Sequence, residues 1–328
     1  MKIILFSVFT SVLIFGFLIL PFSIQSVYSM GHITLQPLQN GFNSTKVIII
    51  AFDDSPKSQF TLAKPILDKY GYKGSFFTVC NFVTGKMNHH DKSRMTWQDI
   101  KTLQQQGHDI ESHTMTHTNL NMKSQQNLTY EIGGSKQCLL DHGINATIFA
   151  YPASTGHENA TVVNVVAKYY DLARSGDAPM TFFHCDGYKI ENNCTPFNSK
   201  GHIKYENRYD VMNWSDRPKP DNPGQLAIPL DNAQMLTQFI QEVNLQEKYN
   251  KNGCINTIPI TVYHDFIIDK KYEYSPYKSF TDVGLFSDEM KYLHDHGFKV
   301  LKMSDLGYNA KSGYLYIKGP TDSLLRNC

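Results

Sequence analysis

The sequence has almost no net charge. Its 31 Lys and Arg residues against 30 Asp and Glu leave +1 at pH 7, which removes the electrostatic case for nucleic acid or a polyanionic substrate. Internal repeats and low-complexity tracts are absent, so a solenoid or repeat array is excluded. A long apolar run occurs at the N-terminus, from Ile3 to Leu20. Any membrane association is therefore expected through that segment alone. What remains is a chain of 328 residues with 41% hydrophobic residues, enough for a sizeable core in one large domain or two small ones. Its 19 Tyr and 20 Phe suit sugar-facing surfaces and ordinary cores alike.

The N-terminal run follows a basic Lys2 and ends at Pro21, with a small-residue cleavage pattern at Val27-Tyr28-Ser29. It reads as a secretory signal, or as a membrane anchor, since its length approaches a bilayer span. Either places the rest of the chain outside the cytoplasm. Six cysteines, an even number, agree with an oxidising compartment. So do the Asn-x-Ser/Thr sequons at Asn43, Asn127, Asn145, Asn159, Asn193 and Asn213. Cys185 and Cys194 lie close together in a polar stretch and are the expected disulfide. Cys138 sits in a helical pattern and reads as a core thiol.

Four blocks are expected: residues 1–29 as signal or anchor, 30–45 as linker, 46–306 as the functional domain and 307–328 as a tail. Within the domain, strand and helix patterns alternate. Strands are expected at 46–52, 74–79, 109–112, 148–151, 171–174, 258–263 and 298–301. Helices are expected at 60–70, 96–106, 124–142, 157–170, 233–248 and 287–296. Thr96 is an N-cap, with Asp99 at the third helical position and Gly107 at the stop. Residues 177–231 read as irregular. Repeated β-then-α units imply an α/β fold with a parallel sheet or barrel, whose site lies at the C-terminal strand ends. Polar clusters follow strands at Asp53-Asp54, at His113 and His117, at Pro152, and at His264-Asp265.

His113 and His117 stand four apart, which would put both rings on one side of a helical turn. Two such histidines with a carboxylate can hold a divalent metal and leave positions for water and substrate. Taken singly, each cluster also fits a polar turn.

Together they carry a resemblance. AFDDSP at 51–56 is similar to the Thr-Phe-Asp-Asp-Gly-Pro motif of the polysaccharide deacetylases, carbohydrate esterase family 4, the NodB-homology domain. SHTMTH at 112–117 resembles the family's His-(Ser/Thr)-x-x-His motif. FAYPAS at 149–154 and ITVYHD at 260–265 resemble two others. KGSFFTV, QQGHDIESH and YLHDHGFKVLKMSDL flank them, so the likeness spans about 46 to 306.

The resemblance implies a distorted (β/α) barrel of about seven repeats. It implies a hydrolase of non-peptide carbon–nitrogen bonds, removing N-acetyl groups from an amino-sugar polymer. Asp54, His113 and His117 would bind a divalent metal, zinc first, with cobalt, nickel or manganese as alternatives. Asp53 would be the base and His264 the acid. The Ala153 N–H, after Pro152, would help hold the oxyanion. The family often has Arg two residues before that proline, where this chain has Ala150; Arg174 is the candidate to supply the guanidinium to Asp53. Ser55 and Ala153 replace the usual Gly and Tyr. YDVMNWSD fits a further motif loosely, making Asp210 and Trp214 substrate-binding candidates, with a core role for Trp214 as the alternative. Because that motif overlaps the Asn213 sequon, no glycan is expected there. The expected partner is an N-acetylated glycan, and the expected state a monomer. An amidohydrolase on small amides and a glycan-binding pseudoenzyme are the competing readings. Retention of both Asp and all three His residues argues against the second of these, and the extracytoplasmic address against the first.

Overall fold

Val47–Phe52 (β1) has the sequence VIIIAF, and every residue in it is buried. Both faces must therefore be covered, as in a parallel sheet flanked by helices. In this computed structural model, which describes residues 45–83, 93–176, 178–183, 207–219, 227–269, 271, 274 and 279–319, they are. Val47, Ile49 and Ala51 join one apolar cluster, and Ile48, Ile50 and Phe52 join another. The leader and the Cys185–Cys194 pair lie outside the described residues.

Further strands follow in chain order: Ser75–Thr78 (β2), Asp109–Ser112 (β3), Ile148–Ala150 (β4), Leu172–Ser175 (β5), Met180–Phe182 (β6), Val211–Met212 (β7), Trp214–Ser215 (β8) and Thr257–Tyr263 (β9). Strands β1 to β5 pair in sequence, all parallel. β5 continues to β7, and β8 pairs with β9, which returns to β1. β7 and β8 flank Asn213 as one bent strand, so the sheet curls round to seven positions, a distorted barrel. β6 adds an antiparallel edge to β9, and Lys299–Leu301 pairs with the start of β1. Residues 177–231, expected to be irregular, thus contain the segment that bridges β5 and β9. Two-residue strands leave too little alternation to be read in advance.

The cluster with Val47, Ile49 and Ala51 also takes Phe77, Ile148, Ala150, Leu172, Val211, Ile260 and Val262. Residues from strands all round the ring meet only across its interior. The other cluster joins the outer strand faces to the helices, through Leu67, Phe239, Phe286 and Met290. Strand alternation then sets what faces the mouth. Asp53 follows the parity of Ala51, Arg174 that of Leu172, and Asn213 that of Val211.

Helix Trp97–Gln105 starts as its sequence requires: Thr96 Oγ1 accepts from the Asp99 N–H, and Asp99 accepts from the Thr96 N–H. Leu306–Asn309 and Tyr314–Ile317 form a hairpin whose Leu306, Leu315 and Ile317 are buried in the interior cluster. Among the described residues, no helix is long and apolar enough to cross a membrane. Cys138 is not a free core thiol: it is disulfide-bonded to Cys80, 58 residues away.

His108 gives a pH test of the fold. Its ring is 3% exposed, and Nδ1 accepts from the Gly74 N–H. Burial, with Lys73 nearby, pushes its pKa down to about 4. The unfolded chain, with His near 6.5, binds a proton that the folded chain refuses, so stability is lost as pH falls from 6.5 toward 4. The loss attributable to this ring is expected to approach about 3 kcal/mol. Urea midpoints at pH 7 and 4.5 measure it. His108→Asn should flatten the difference; an equal drop in both proteins would refute the assignment.

Candidate metal centre

The Asp53 N–H donates to the Tyr263 carbonyl at 2.9 Å, so the β1–β9 ladder runs up to Asp53. Asp54 and Ser55 then take φ of +71° and +58°. That left-handed backbone is costly for residues with a Cβ and persists where its surroundings impose it. It turns the chain, so neighbouring carboxylates take different directions. Gln59, fully buried, secures the corner: its Nε2 donates to the carbonyls of Asp53 (2.5 Å) and His264 (2.8 Å). Arg94 donates to the Asp54 carbonyl at 2.8 Å.

His113 continues the chain beyond β3. Its N–H donates to the Thr78 carbonyl, and its Nδ1 lies 2.9 Å from the Ala150 carbonyl. A carbonyl only accepts, so Nδ1 carries the proton and Nε2 keeps its lone pair for a metal. The 113–117 segment is not the helical turn expected from the i, i+4 spacing. It is a loop with Thr114 at φ +71° and His117 at φ +57°. Glu131 shapes it, accepting from the N–H and hydroxyl of Thr116. The loop still brings the two imidazoles together, with ring centroids 4.9 Å apart.

Asp54 Oδ1 lies 3.1 Å from His117 Nε2 and 3.5 Å from His113 Nε2. Ligand atoms of the three residues all lie within 4.8 Å of one another. Donors bound tetrahedrally at about 2.1 Å stand about 3.4 Å apart, so this nitrogen and oxygen set fits a zinc-like ion. Burial opposes charge on Asp54, but the His113 and His117 imidazoles beside it outweigh that and hold the carboxyl well below its usual range. Burial likewise opposes charge on His117, and Asp54 outweighs it, raising that imidazole. A cation in place of the protons would satisfy the same carboxylate.

Asp53 sits beside this set, 5% exposed, with Oδ2 3.8 Å from His113 Nε2. Arg174, 4% exposed, donates to Asp53 Oδ1 through Nη2. Burial alone would raise Asp53; the Arg174 guanidinium, then His113 and His264, more than offset it and hold the carboxyl low. Arg174 lies over the Phe77 ring at 4.3 Å, and its Nη1 donates to Asn213 Oδ1 at 2.8 Å. Asn213 also donates to the Gly176 carbonyl. It is 3% exposed with both ends of its amide engaged, so it holds Arg174 rather than a glycan. Sequence reading missed this role, although its inward parity with Val211 was a usable signal. Nothing local announced Gln59, Arg94 or Glu131.

His264 closes the group at the end of β9. Burial pushes its imidazole below the ordinary value, although Asp53 and Asp54 pull the other way. Pro152 is buried and Ala153 exposed in the turn after β4, with Ala153 at φ +47° and Ser154 at φ +53°. Among the described residues, six of the seven non-glycine residues with positive φ, namely Asp54, Ser55, Thr114, His117, Ala153 and Ser154, thus cluster at strand ends of this mouth. Asp210 lies on the rim beside β5, accepting from Ser175 and pairing with His157 at 3.0 Å. Trp214 is a correction. It is 2% exposed and packs near Phe239, offering no face to a sugar. With Asn213 turned inward, alternation turns Trp214 outward under helix Asn232–Asn244.

The barrel mouth thus gathers an Asp-His-His donor set and a second aspartate held by Arg174. Residues 41–170 match the family model described as polysaccharide deacetylase. The chain is 35% identical over 117 residues to the Bacillus subtilis (strain 168) protein named "Putative polysaccharide deacetylase YxkH", covering 35% of this chain and 39% of that protein. It is 27% identical over 134 residues to a gellan lyase of a Bacillus species, covering 40% of this chain and 5% of that protein. Among solved structures, the family 4 carbohydrate esterase from Streptomyces lividans in complex with acetate superposes with TM-score 0.44 and 13% identity, covering 78% of this chain and 91% of that one. The peptidoglycan deacetylase PdaC from Bacillus subtilis gives 0.44 and 13%, covering 80% and 90%.

Proposed function

We propose that the protein is a metal-dependent deacetylase that hydrolyses N-acetyl groups on an extracellular amino-sugar polymer. The observation that carries this is the pairing of the Asp54-His113-His117 set with Asp53, a neighbouring carboxylate kept ionised by Arg174. A divalent ion held by that set would supply acidity, lowering the pKa of water from about 15.7 toward about 7. Asp53 takes a proton as water adds to the acetyl carbonyl. Arg174 and, behind it, Asn213 keep the carboxylate charged and aimed. The Ala153 N–H serves the oxygen that becomes negative. His264 gives a proton to the departing amine as the C–N bond breaks, releasing acetate and leaving the amino sugar. A placed acid or base of this kind contributes roughly 10²–10⁴-fold. The Cys80–Cys138 disulfide agrees with an extracytoplasmic site of action, reached through the N-terminal segment.

Acetate release from chitin oligomers, peptidoglycan and acetylated xylan, with zinc and with a chelator, tests the proposal. Release from an N-acetylated glycan, lost with the chelator and restored by zinc, is expected. Binding of glycan without acetate release from any substrate, in zinc-loaded protein, would instead favour a pseudoenzyme.

A further inference from the structure

We propose that the Cys80–Cys138 disulfide locks a clamp around the His113–His117 loop and thereby sets its metal affinity. The proposal rests on the metal-centre reading above and concerns how the ligands are held.

The loop runs between two pieces of chain. On one side is the turn Cys80–Val83, just after β2. The Cys80 N–H donates to the Thr114 carbonyl at 3.1 Å, and the Asn81 N–H to the Met115 carbonyl at 2.9 Å. On the other side is the helical segment 129–141. The Met115 N–H donates to the Glu131 carbonyl at 3.1 Å, the Thr116 N–H to Glu131 Oε2 at 2.9 Å, and the Thr116 hydroxyl to Glu131 Oε1 at 2.7 Å. The loop groups held in this way belong to Thr114, Met115 and Thr116, the three residues between the two histidines. Cys138 lies seven residues beyond Glu131, about two helical turns on, which puts it on a similar face. The disulfide therefore joins the two jaws to each other and not to the loop they hold.

A reason for such a device lies in the loop's backbone. Thr114 and His117 both hold positive φ. Residues with a Cβ leave that conformation readily unless contacts on more than one side enforce it. If the jaws part, the loop relaxes, and His117 Nε2 loses its place beside Asp54. Cys80 is fully buried and Glu131 is 5% exposed, so these two ends of the clamp are shielded from solvent in the closed form. Cys80, Cys138 and Glu131 are thus positioning residues. None is within the ligand set, and each acts through the 113–117 loop.

A competition titration of zinc against a chromophoric chelator, on the intact oxidised chain, tests this. Cys80→Ala/Cys138→Ala is expected to bind zinc at least tenfold more weakly, at a temperature where circular dichroism shows it folded. Glu131→Gln, with the disulfide intact, is expected to weaken zinc in the same direction. A crosslink that served only global stability would lower the melting temperature and leave the zinc affinity of the folded protein unchanged; that result overturns the clamp. Should the double variant not fold, Glu131→Gln decides, and an unchanged affinity in that folded variant overturns it equally. A wild-type chain that takes up no zinc would remove the metal-centre reading itself, a different failure from tight binding that ignores the disulfide.

Discussion

Asp53→Asn is expected to keep close to one metal per chain while turnover falls by roughly 10²–10⁴-fold. The geometry separates the two adjacent aspartates. Asp54 Oδ1 is the oxygen near both imidazoles, at 3.1 and 3.5 Å. Asp53 turns its Oδ1 to Arg174, and its Oδ2 stands 3.8 Å from His113. Asn at 53 retains an oxygen that can accept from Arg174, so the ligand set and the barrel mouth should persist. What it lacks is the basic oxygen. His117→Ala should fail differently. It removes one donor of three, so the purified protein should be metal-poor, with partial rescue only at high added zinc. Metal analysis beside acetate-release rates distinguishes the two. An Asp53→Asn protein that loses its metal, yet turns over normally once metal is restored, would reverse the roles given to the two aspartates.

Arg174→Met should produce the second large effect, on both stability and pH dependence. Arg174 and Asp53 are 4% and 5% exposed, so the substitution strands a carboxylate in a desolvated site. Breaking a buried pair in this way costs about 3–5 kcal/mol at neutral pH. In the wild type the depressed Asp53 pKa contributes stability that is present above the unfolded value, near 3.8, and is lost as pH falls through the lower folded value. In Arg174→Met the main opposition to burial is gone, so the Asp53 carboxyl should move upward. The base would be protonated over a wider acidic range, and the acid limb of the rate profile should shift to higher pH, with partial recovery as pH rises. Urea unfolding at pH 7 and a pH–rate profile measure the two parts. An unshifted acid limb would mean that Arg174 does not govern the ionisation of Asp53.

What the sequence could determine was what a few neighbouring residues decide among themselves. The β-branched run of β1, the Thr96–Asp99 capping pair and the β-then-α alternation are local, and the folded chain shows them close to where they were read. The polar clusters were legible for the same reason, because each follows directly on a strand. The approach of Arg174 to Asp53, across 121 residues, was suggested only by a missing Arg at Ala150, and no spacing rule implies it. Six cysteines allow 15 pairings, and the one between Cys80 and Cys138 depends on two jaws closing round a third segment. The outward turn of Trp214 and the inward turn of Asn213 depend on a two-residue strand finding β9. The 113–117 loop has a spacing that suits a helix, yet Glu131 and the Cys80–Val83 turn hold it otherwise. Local propensity is worth tenths of a kcal/mol per residue, and buried hydrogen bonds from distant segments outweigh it. The candidate donor set Asp54, His113 and His117 could therefore be picked out in the chain, while the directions of its side chains and their supports came from closing the barrel.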